Sequence, residues 1–147
     1  MQSEPSVRPL TTRLRPLILV GTAAYWLLML VLTHLPEIPK EYDSGLGDKS
    51  EHLIGYMLLS VGLGLCLSVC RGPLGWRQLA MIIGIVGIYG AFDESTQPLF
   101  GRNCDWYDWL ADLRGCLMGV LAVLGIDQLC RRWRPEWFPP STTSLTP

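Results

Sequence analysis

The feature that most constrains this chain is a set of long apolar runs that contain very few charges. The first run, residues 17–35, has no charged or imidazole side chain before His34. Its length matches the roughly 20 residues that an α-helix needs to cross the hydrocarbon core of a bilayer. A soluble protein of 147 residues would instead distribute its apolar residues periodically along amphipathic elements. The run therefore predicts a membrane-spanning helix.

Three further runs have a similar length and composition, which gives four predicted spans in a single domain. The second run is closed by Arg71, Gly72 and Pro73, which add charge and flexibility and remove a backbone donor. The predicted spans are residues 17–35, 52–70, 76–92 and 109–130. We therefore expect an all-α fold, a polytopic four-transmembrane-helix bundle.

The fourth run is the most polar, because Asp112 and Arg114 lie in its first turns. Gly115 and Gly119 follow as two small residues on one helix face. Such pairs let a neighbouring helix approach closely inside a membrane. We therefore expect span four to be buried against partner helices, which would compensate for its polarity.

The distribution of Lys and Arg predicts the orientation of the spans. The N-terminal arm, the connector between spans two and three, and the C-terminal tail hold eight of these residues, whereas the other connectors hold Lys40, Lys49 and Arg102. Because basic residues are enriched in cytoplasmic loops, we expect both termini in the cytoplasm and a multi-pass chain in the bacterial inner (plasma) membrane. Residues 1–16 are then a cytoplasmic arm. Residues 131–147 are a cytoplasmic tail that we expect to be disordered.

Composition argues against several other classes of protein. The net charge is −1 and the basic residues form short clusters, so we expect no nucleic-acid partner. The five cysteines form no CxxC pair and no zinc spacing, which predicts neither a disulfide framework nor a structural metal. The first run is longer than the apolar core of a secretory signal, and no A-x-A-like cleavage site follows it. We therefore expect this run to be retained.

Three segments carry polar residues at helical spacing near the predicted outer boundary. Side chains three or four positions apart share one face of a helix. The sets are Asp48, His52 and Tyr56 at the start of span two; Asp93 and Gln97 at the end of span three; and Asp105, Asp108 and Asp112 at the start of span four. Gly101 and Arg102 form a predicted turn between the last two sets.

Ionisable residues at membrane depth are costly and frequently functional, which predicts a ligand-binding site where these segments meet. An alternative interpretation is structural, with Lys49, Arg102 and Arg114 neutralising the acids and fixing the loops. The candidate ligand-binding residues are Asp48, Lys49, His52, Tyr56, Asp93, Glu94, Gln97, Arg102, Asp105, Asp108 and Asp112.

These motifs resemble those of the VanZ-like family of bacterial membrane proteins. The resemblance covers residues 25–129, within a predicted membrane domain of residues 17–130. It rests on Asp48-Lys49-Ser50-Glu51-His52 with Tyr56, on Asp93-Glu94-Ser95-Thr96-Gln97, on Gly101-Arg102 and on Asp108-Trp109-Leu110-Ala111-Asp112-Leu113-Arg114-Gly115. The namesake is tied to teicoplanin resistance, so the resemblance implies a role in the cell envelope and a link to antibiotic resistance. It implies no particular reaction.

This chain departs from the family pattern at two positions. Asp112 stands where many members have Asn, and Arg114 is also unusual. These departures weaken the case for transferring a neutral hydrogen-bonding role to residue 112.

Three functional hypotheses follow. The first is a non-enzymatic protein in which Arg102 and Lys49 hold an anionic group of a membrane lipid, a glycopeptide or a lipid-linked cell-wall precursor. The second is an enzyme acting on a lipid-linked substrate at the membrane surface. Its acids and His52 would supply a general base or the ligands of a divalent metal, although no cofactor is predicted outright. The third is a structural or assembly protein, whose oligomeric state the sequence leaves open.

Overall fold

The computed structural model describes residues 9–35 and 47–139, and these residues form helices and connectors with no strand. Each of the four long helices is apolar enough to cross a membrane, counting the short 3₁₀ helix after α3 as part of its span. The helices are α1 (Leu10–Thr33), α2 (Asp48–Arg71), α3 (Trp76–Thr96) and α4 (Trp106–Trp133), with 3₁₀ helices at Gln97–Phe100 and Pro135–Trp137. The prediction of an all-α fold with four helices long and apolar enough to span a membrane is confirmed.

The helices are longer than the predicted spans at the end where the polar motifs lie. α2 begins at Asp48, four residues before predicted span two, and α3 continues to Thr96. Asp93 and Glu94 are therefore part of the last turns of α3, and both are buried. Hydropathy alone truncates these helices because their end turns are polar. Residues 48–51 of α2 are exposed, whereas Asp93 and Glu94 of α3 are covered by neighbouring helices.

The C-terminal segment differs from its prediction. α4 runs to Trp133, and the Pro135–Trp137 helix follows it directly. Thr11 Oγ1 donates a 2.6 Å hydrogen bond to the carbonyl of Trp137, and the guanidinium of Arg131 lies 4.0 Å from the centroid of the Phe138 ring. The expectation of disorder is wrong for these residues, because aromatic and hydroxyl contacts hold them against the bundle. Residues 140–147 lie outside the described range.

The start of α1 is also helical within the predicted arm of residues 1–16, since α1 begins at Leu10. The contact between Thr11 and Trp137 places the start of α1 beside the end of α4. This end of the bundle also carries the connector between α2 and α3, where Gly72 adopts a φ of +94° just after Arg71. We call the opposite end, where α1 and α3 finish and α2 and α4 begin, the polar end.

The closest helix packing is between α2 and α4. A Cβ atom on Gly115 would overlap the backbone carbonyl of Leu53, and one on Gly119 would overlap that of Met57. The prediction that this glycine pair admits a neighbouring helix is confirmed. α4, whose first turns carry Asp112 and Arg114, accordingly packs against both α2 and α3 and has more buried residues than any other helix in the described ranges.

α1 is the most peripheral helix, and Met29 is its one buried residue within the described range. It is tied to α2 by a 3.0 Å hydrogen bond from the Tyr25 hydroxyl to the carbonyl of Gly55. Its other leucines and valines are mostly exposed, as expected for a helix that faces lipid on most of its circumference. This loose packing leaves a cleft between α1 and α2 at the polar end.

Candidate functional site

The helical spacing on α2 positions three polar side chains at the polar end. His52 and Tyr56 are one turn apart, and their rings are stacked with centroids 6.2 Å apart and planes inclined by 7°. Asp48 lies one turn earlier, with Oδ1 at 4.0 Å from His52 Nε2. The prediction that these three residues share one helix face is confirmed.

His52 is the centre of the site, because its ring is approached by carboxylates from three directions. Nδ1 is 2.8 Å from Asp112 Oδ1 on α4 and 3.8 Å from Glu94 Oε1 on α3. Nε2 faces Asp48. Since the side chains of His52, Glu94 and Asp112 are each no more than 5% exposed, these charges interact with little screening by water.

Glu94 is held on both of its oxygens. Gln97 Nε2 lies one turn later and donates to Oε1 at 3.3 Å. The backbone amide of Asp105, at the start of α4, donates to Oε2 at 3.1 Å. The carboxylate therefore has a fixed orientation, with Oε1 turned toward His52.

Asp93 is fully buried and receives its hydrogen bonds from neutral groups. The hydroxyl of Thr33 on α1 donates to Oδ1 at 2.7 Å, and the hydroxyl of Tyr56 donates to Oδ2 at 3.2 Å. Gln97 Nε2 also reaches Oδ2 at 3.4 Å, which confirms the predicted shared face. A buried carboxylate requires such donors, and here they join α1, α2 and α3.

Lys49 forms ion pairs with two carboxylates, one on the residue just before α4 and one in the first turn of α4. Its Nζ is 2.8 Å from Asp105 Oδ2 and 3.0 Å from Asp108 Oδ1. The ammonium beside Asp105 holds the pKa of that carboxyl below its usual value. The Asp105 side chain also caps α4 by accepting from the amide of Tyr107. Lys49 thus serves to attach the start of α2 to the start of α4.

Arg102 lies in the connector before α4 and spans the mouth of the α1–α2 cleft. One terminal nitrogen donates to Asp48 Oδ1 at 3.2 Å and the other to the carbonyl of Thr33 at 3.5 Å. Arg114, which the sequence suggested as a third neutralising cation, is instead exposed on α4. The structural interpretation therefore applies to Lys49 and Arg102 and not to Arg114.

All eleven sequence-predicted site residues belong to one connected set of contacts at the polar end. The sequence missed two members from the end of α1. Thr33 reaches Asp93, and His34 places Nε2 2.8 Å from the hydroxyl of Thr96 and Nδ1 2.8 Å from the carbonyl of Leu30. Their position at the end of span one, next to the polar motifs, was the available signal.

Two buried polar atoms of this region have no hydrogen-bond partner among the described residues. They are Oδ2 of Asp112 and the hydroxyl of Tyr89. Asp112 Oδ2 lies close to Gly90 on α3, where a Cβ would come within 2.9 Å of the oxygen, so the glycine lets α3 approach this carboxylate. Buried carboxylate oxygens are rarely left unpaired, so this atom requires an explanation.

Among residues 9–35 and 47–139, two groups of side chains have the ligand types and spacing of a metal site. In each group, one donor atom per residue lies within 4.8 Å of the others. The groups are Asp48, His52 and Asp108, and His52, Glu94 and Asp112. The second group is buried throughout, whereas Asp48 of the first is exposed.

A cavity of about 180 Å³ opens at the α1–α2 cleft. Its apolar wall is formed mainly by Leu28, Met29 and Leu32 of α1. Its polar wall includes His52 and Arg102. The cavity therefore joins an apolar surface of α1 to charged groups at the polar end.

A second buried polar cluster, which the sequence did not single out, lies at the opposite end. Asp127 accepts hydrogen bonds from the Ser68 hydroxyl and from the backbone amide of Leu74 at 3.2 Å. Arg131 Nε also donates to both carboxylate oxygens of Asp127, at 3.0 and 3.1 Å. It fastens the α2–α3 connector to α4. The i, i+4 spacing of Asp127 and Arg131 was its sequence signal.

Comparison of the chain with family models, curated proteins and solved structures returns no match.

Proposed function

We propose that this chain is a multi-pass protein of the bacterial inner membrane, of the VanZ-like type, that binds a phosphate-bearing membrane lipid at its outer face. The cavity between α1 and α2 is the single observation that carries this proposal. A lipid-linked cell-wall precursor is one such lipid, and a glycopeptide is the competing ligand suggested by the resemblance.

The orientation is supported by charge. The end of the bundle opposite the polar end carries Arg71, Arg77, Arg131, Arg132 and Arg134, and basic residues favour the cytoplasmic side. The polar end, which carries most of the acids, is then outside. Both chain termini are cytoplasmic in this arrangement.

The two walls of the cavity support an amphipathic ligand. Leu28 and Leu32 lie on the lipid-facing helix α1, and about half of each side chain is exposed. An acyl chain can lie along these residues without leaving the bilayer. Arg102 stands above them at the polar end, at the depth of a headgroup.

The chemistry of Arg102 favours phosphate. A guanidinium has five N–H donors, and the contacts to Asp48 and Thr33 use two of them. Arg also binds phosphate in a bidentate manner, with charge-assisted hydrogen bonds. Lys49, the other predicted anion-binding residue, is already held by two carboxylates and is not proposed to contact the ligand.

The size of the cavity argues against a large ligand. At about 180 Å³ it is smaller than the roughly 300–1,000 Å³ pockets that enclose drug-sized molecules. It accommodates a headgroup or the first part of a chain, with the rest of the lipid in the bilayer. A whole glycopeptide does not fit inside it.

The test is binding of fluorescent phosphatidylglycerol, a lipid-linked cell-wall precursor, diacylglycerol and teicoplanin to purified protein in detergent. We expect Arg102→Gln to weaken binding of the phosphate-bearing lipids by about tenfold or more, since hydrogen bonds to charged groups contribute about 1.5–3 kcal/mol. Arg114→Gln, an exposed arginine on α4, is the matched control and should leave binding unchanged.

Two outcomes would contradict this proposal. One is equal lipid affinity for the wild type and Arg102→Gln. The other is binding of teicoplanin that depends on Arg102 while none of the lipids binds. A difference between phosphatidylglycerol and the precursor would identify which lipid class the cavity prefers.

A second candidate, an enzyme at the membrane surface, is favoured by one observation. His52, Glu94 and Asp112 bring imidazole and carboxylate donors together beside the cavity that would hold the lipid headgroup. Such a group can act as a general base or bind a metal that activates water. This candidate predicts that the wild type releases a product from a bound phosphate-bearing lipid. It also predicts that the Glu94→Gln variant loses this activity.

A further inference from the structure

We propose that His52, Glu94 and Asp112 form a binding site for a divalent transition-metal ion, with Zn²⁺ the best match to the donor set. The three residues come from α2, α3 and α4, so the site would join the three central helices. The proposal does not depend on lipid binding.

The buried charge of the three residues is unbalanced without a cation. Within residues 9–35 and 47–139, neither Glu94 nor Asp112 forms an ion pair with a Lys or Arg side chain, and His52 is the one cationic group near both. Burying unpaired carboxylates is strongly unfavourable. A divalent cation beside a neutral His52 would balance the two carboxylates fully.

One carboxylate oxygen of Asp112 is also unpaired. Oδ1 contacts His52 at 2.8 Å, whereas Oδ2 is buried and has no partner in the described part of the chain. Gly90 of α3 lies against this oxygen and has no side chain that could donate a hydrogen bond to it. A cation at the edge of the carboxylate would supply the missing interaction.

The spacing of the donor atoms also suits a zinc ion. Two ligands about 2.1 Å from a zinc ion and separated by the tetrahedral angle are about 3.4 Å apart. The Nδ1 atom of His52 is 2.8 Å from Asp112 Oδ1 and 3.8 Å from Glu94 Oε1, on either side of that value. Small side-chain rotations would therefore bring all three donors to a common ion.

The surroundings of the three residues match those of known metal ligands. A metal-bound histidine usually donates its other N–H to a carboxylate, and His52 Nε2 faces Asp48. The Oε2 atom of Glu94 is held by the backbone amide of Asp105, which fixes the direction of Oε1. These contacts orient the donors before an ion arrives.

The donor types determine the class of ion. Imidazole together with carboxylate suits zinc and neighbouring transition metals, whereas magnesium and calcium prefer oxygen alone. The other group of three, Asp48, His52 and Asp108, is a weaker choice. Arg102 already holds its Asp48, and Lys49 holds its Asp108. His52 lines the α1–α2 cavity, which gives an ion a route to the site.

The test uses the full chain, purified in detergent and stripped of metal with a chelator. Zn²⁺ is then titrated in competition with a chromophoric chelator, and bound metal is counted by mass spectrometry. We expect one Zn²⁺ per chain and little competition from Mg²⁺. His52→Gln, Glu94→Gln and Asp112→Asn should each weaken binding by more than about tenfold.

His34→Gln is the matched control, because His34 lies at the same end of the bundle with its ring nitrogens directed to Leu30 and Thr96. It should bind Zn²⁺ as the wild type does. Helix content and a single elution peak identify variants that remain folded. Co²⁺ bound to the wild type should also give the visible absorption of a tetrahedral site. This measurement tests the site without any variant.

The proposal is overturned if the stripped wild type binds less than one Zn²⁺ per chain at saturation, or if the three variants bind as tightly as His34→Gln. Binding of Mg²⁺ in place of Zn²⁺ would also overturn it.

Discussion

His52 Nδ1 and Asp112 Oδ1 lie 2.8 Å apart, on two helices that are packed almost backbone to backbone. Gly115 is three residues after Asp112, and its closeness to the Leu53 carbonyl brings α4 near enough for this contact. The histidine–aspartate pair and the glycine contact are therefore parts of the same interface. Stability and the site should depend on both.

The pair itself should contribute strongly to stability. His52→Leu leaves Asp112 buried without its partner, and breaking a buried pair in this way costs about 3–5 kcal/mol. The double variant His52→Leu with Asp112→Leu removes both groups, so we expect it to recover a large part of that loss. Unfolding in mixed micelles measures the free energies. Additive effects of the two single substitutions would contradict the coupling.

The α2–α4 contact should not tolerate a side chain. Gly115→Ala places a methyl group against the Leu53 backbone, which cannot rotate away, and overpacking of this kind costs about 1–3 kcal/mol. Gly125→Ala on the same helix is the control, because a Cβ there meets no atom within 4 Å. Unfolding in mixed micelles should separate the two variants. Equal stability would argue against close packing of α2 and α4.

The cluster around Asp127 should stabilise the fold without affecting the polar end. Asp127→Ala leaves Arg131 and the Leu74 amide without their acceptor, and we expect a loss of about 3–5 kcal/mol. The control is Glu136→Ala, which breaks an exposed pair with Arg134 and should cost less than about 1 kcal/mol. A similar small loss in both variants would contradict the buried role of Asp127.

The apolar wall of the cavity can be tested by filling it. Leu28→Trp places a large ring in the cleft, and we expect it to weaken binding of fluorescent phosphatidylglycerol by about tenfold, the equivalent of 1.4 kcal/mol. Leu27→Trp is the matched control, since the adjacent Leu27 is 62% exposed and does not line the cavity. Unchanged binding in both variants would place the lipid elsewhere on the protein.

Much of the fold could be predicted from the sequence, because bilayer thickness fixes the length of each apolar run. The helical period of 3.6 residues also placed His52 and Tyr56 on one face, and it aligned Asp112 with Gly115. These are properties of single helices. They require no knowledge of how the helices are rotated relative to one another.

The pairings across helices could not be predicted in the same way. Whether Lys49, Arg102 or Arg114 reaches the acids depends on the rotation of α4, and that rotation directs Arg114 outward. Thr33 and His34 joined the site because α1 ends beside α3. The burial of Asp93 could not be predicted either, because it depends on neutral hydrogen-bond donors from other helices. A hydropathy profile of α3 alone ends the span just before this acid.

The proposed lipid site requires the polar end to face outward, and thiol labelling on intact spheroplasts tests this directly. Cys104 is exposed in the connector at the polar end, and Arg132 is exposed at the opposite end. One variant keeps Cys104 as its single cysteine, and the other carries Arg132→Cys with every native cysteine replaced by alanine. We predict that a membrane-impermeant maleimide labels Cys104 from outside and labels the Arg132→Cys variant only after lysis. Labelling of the Arg132→Cys variant from outside, with Cys104 protected until lysis, would place the polar end in the cytoplasm and contradict the proposed orientation.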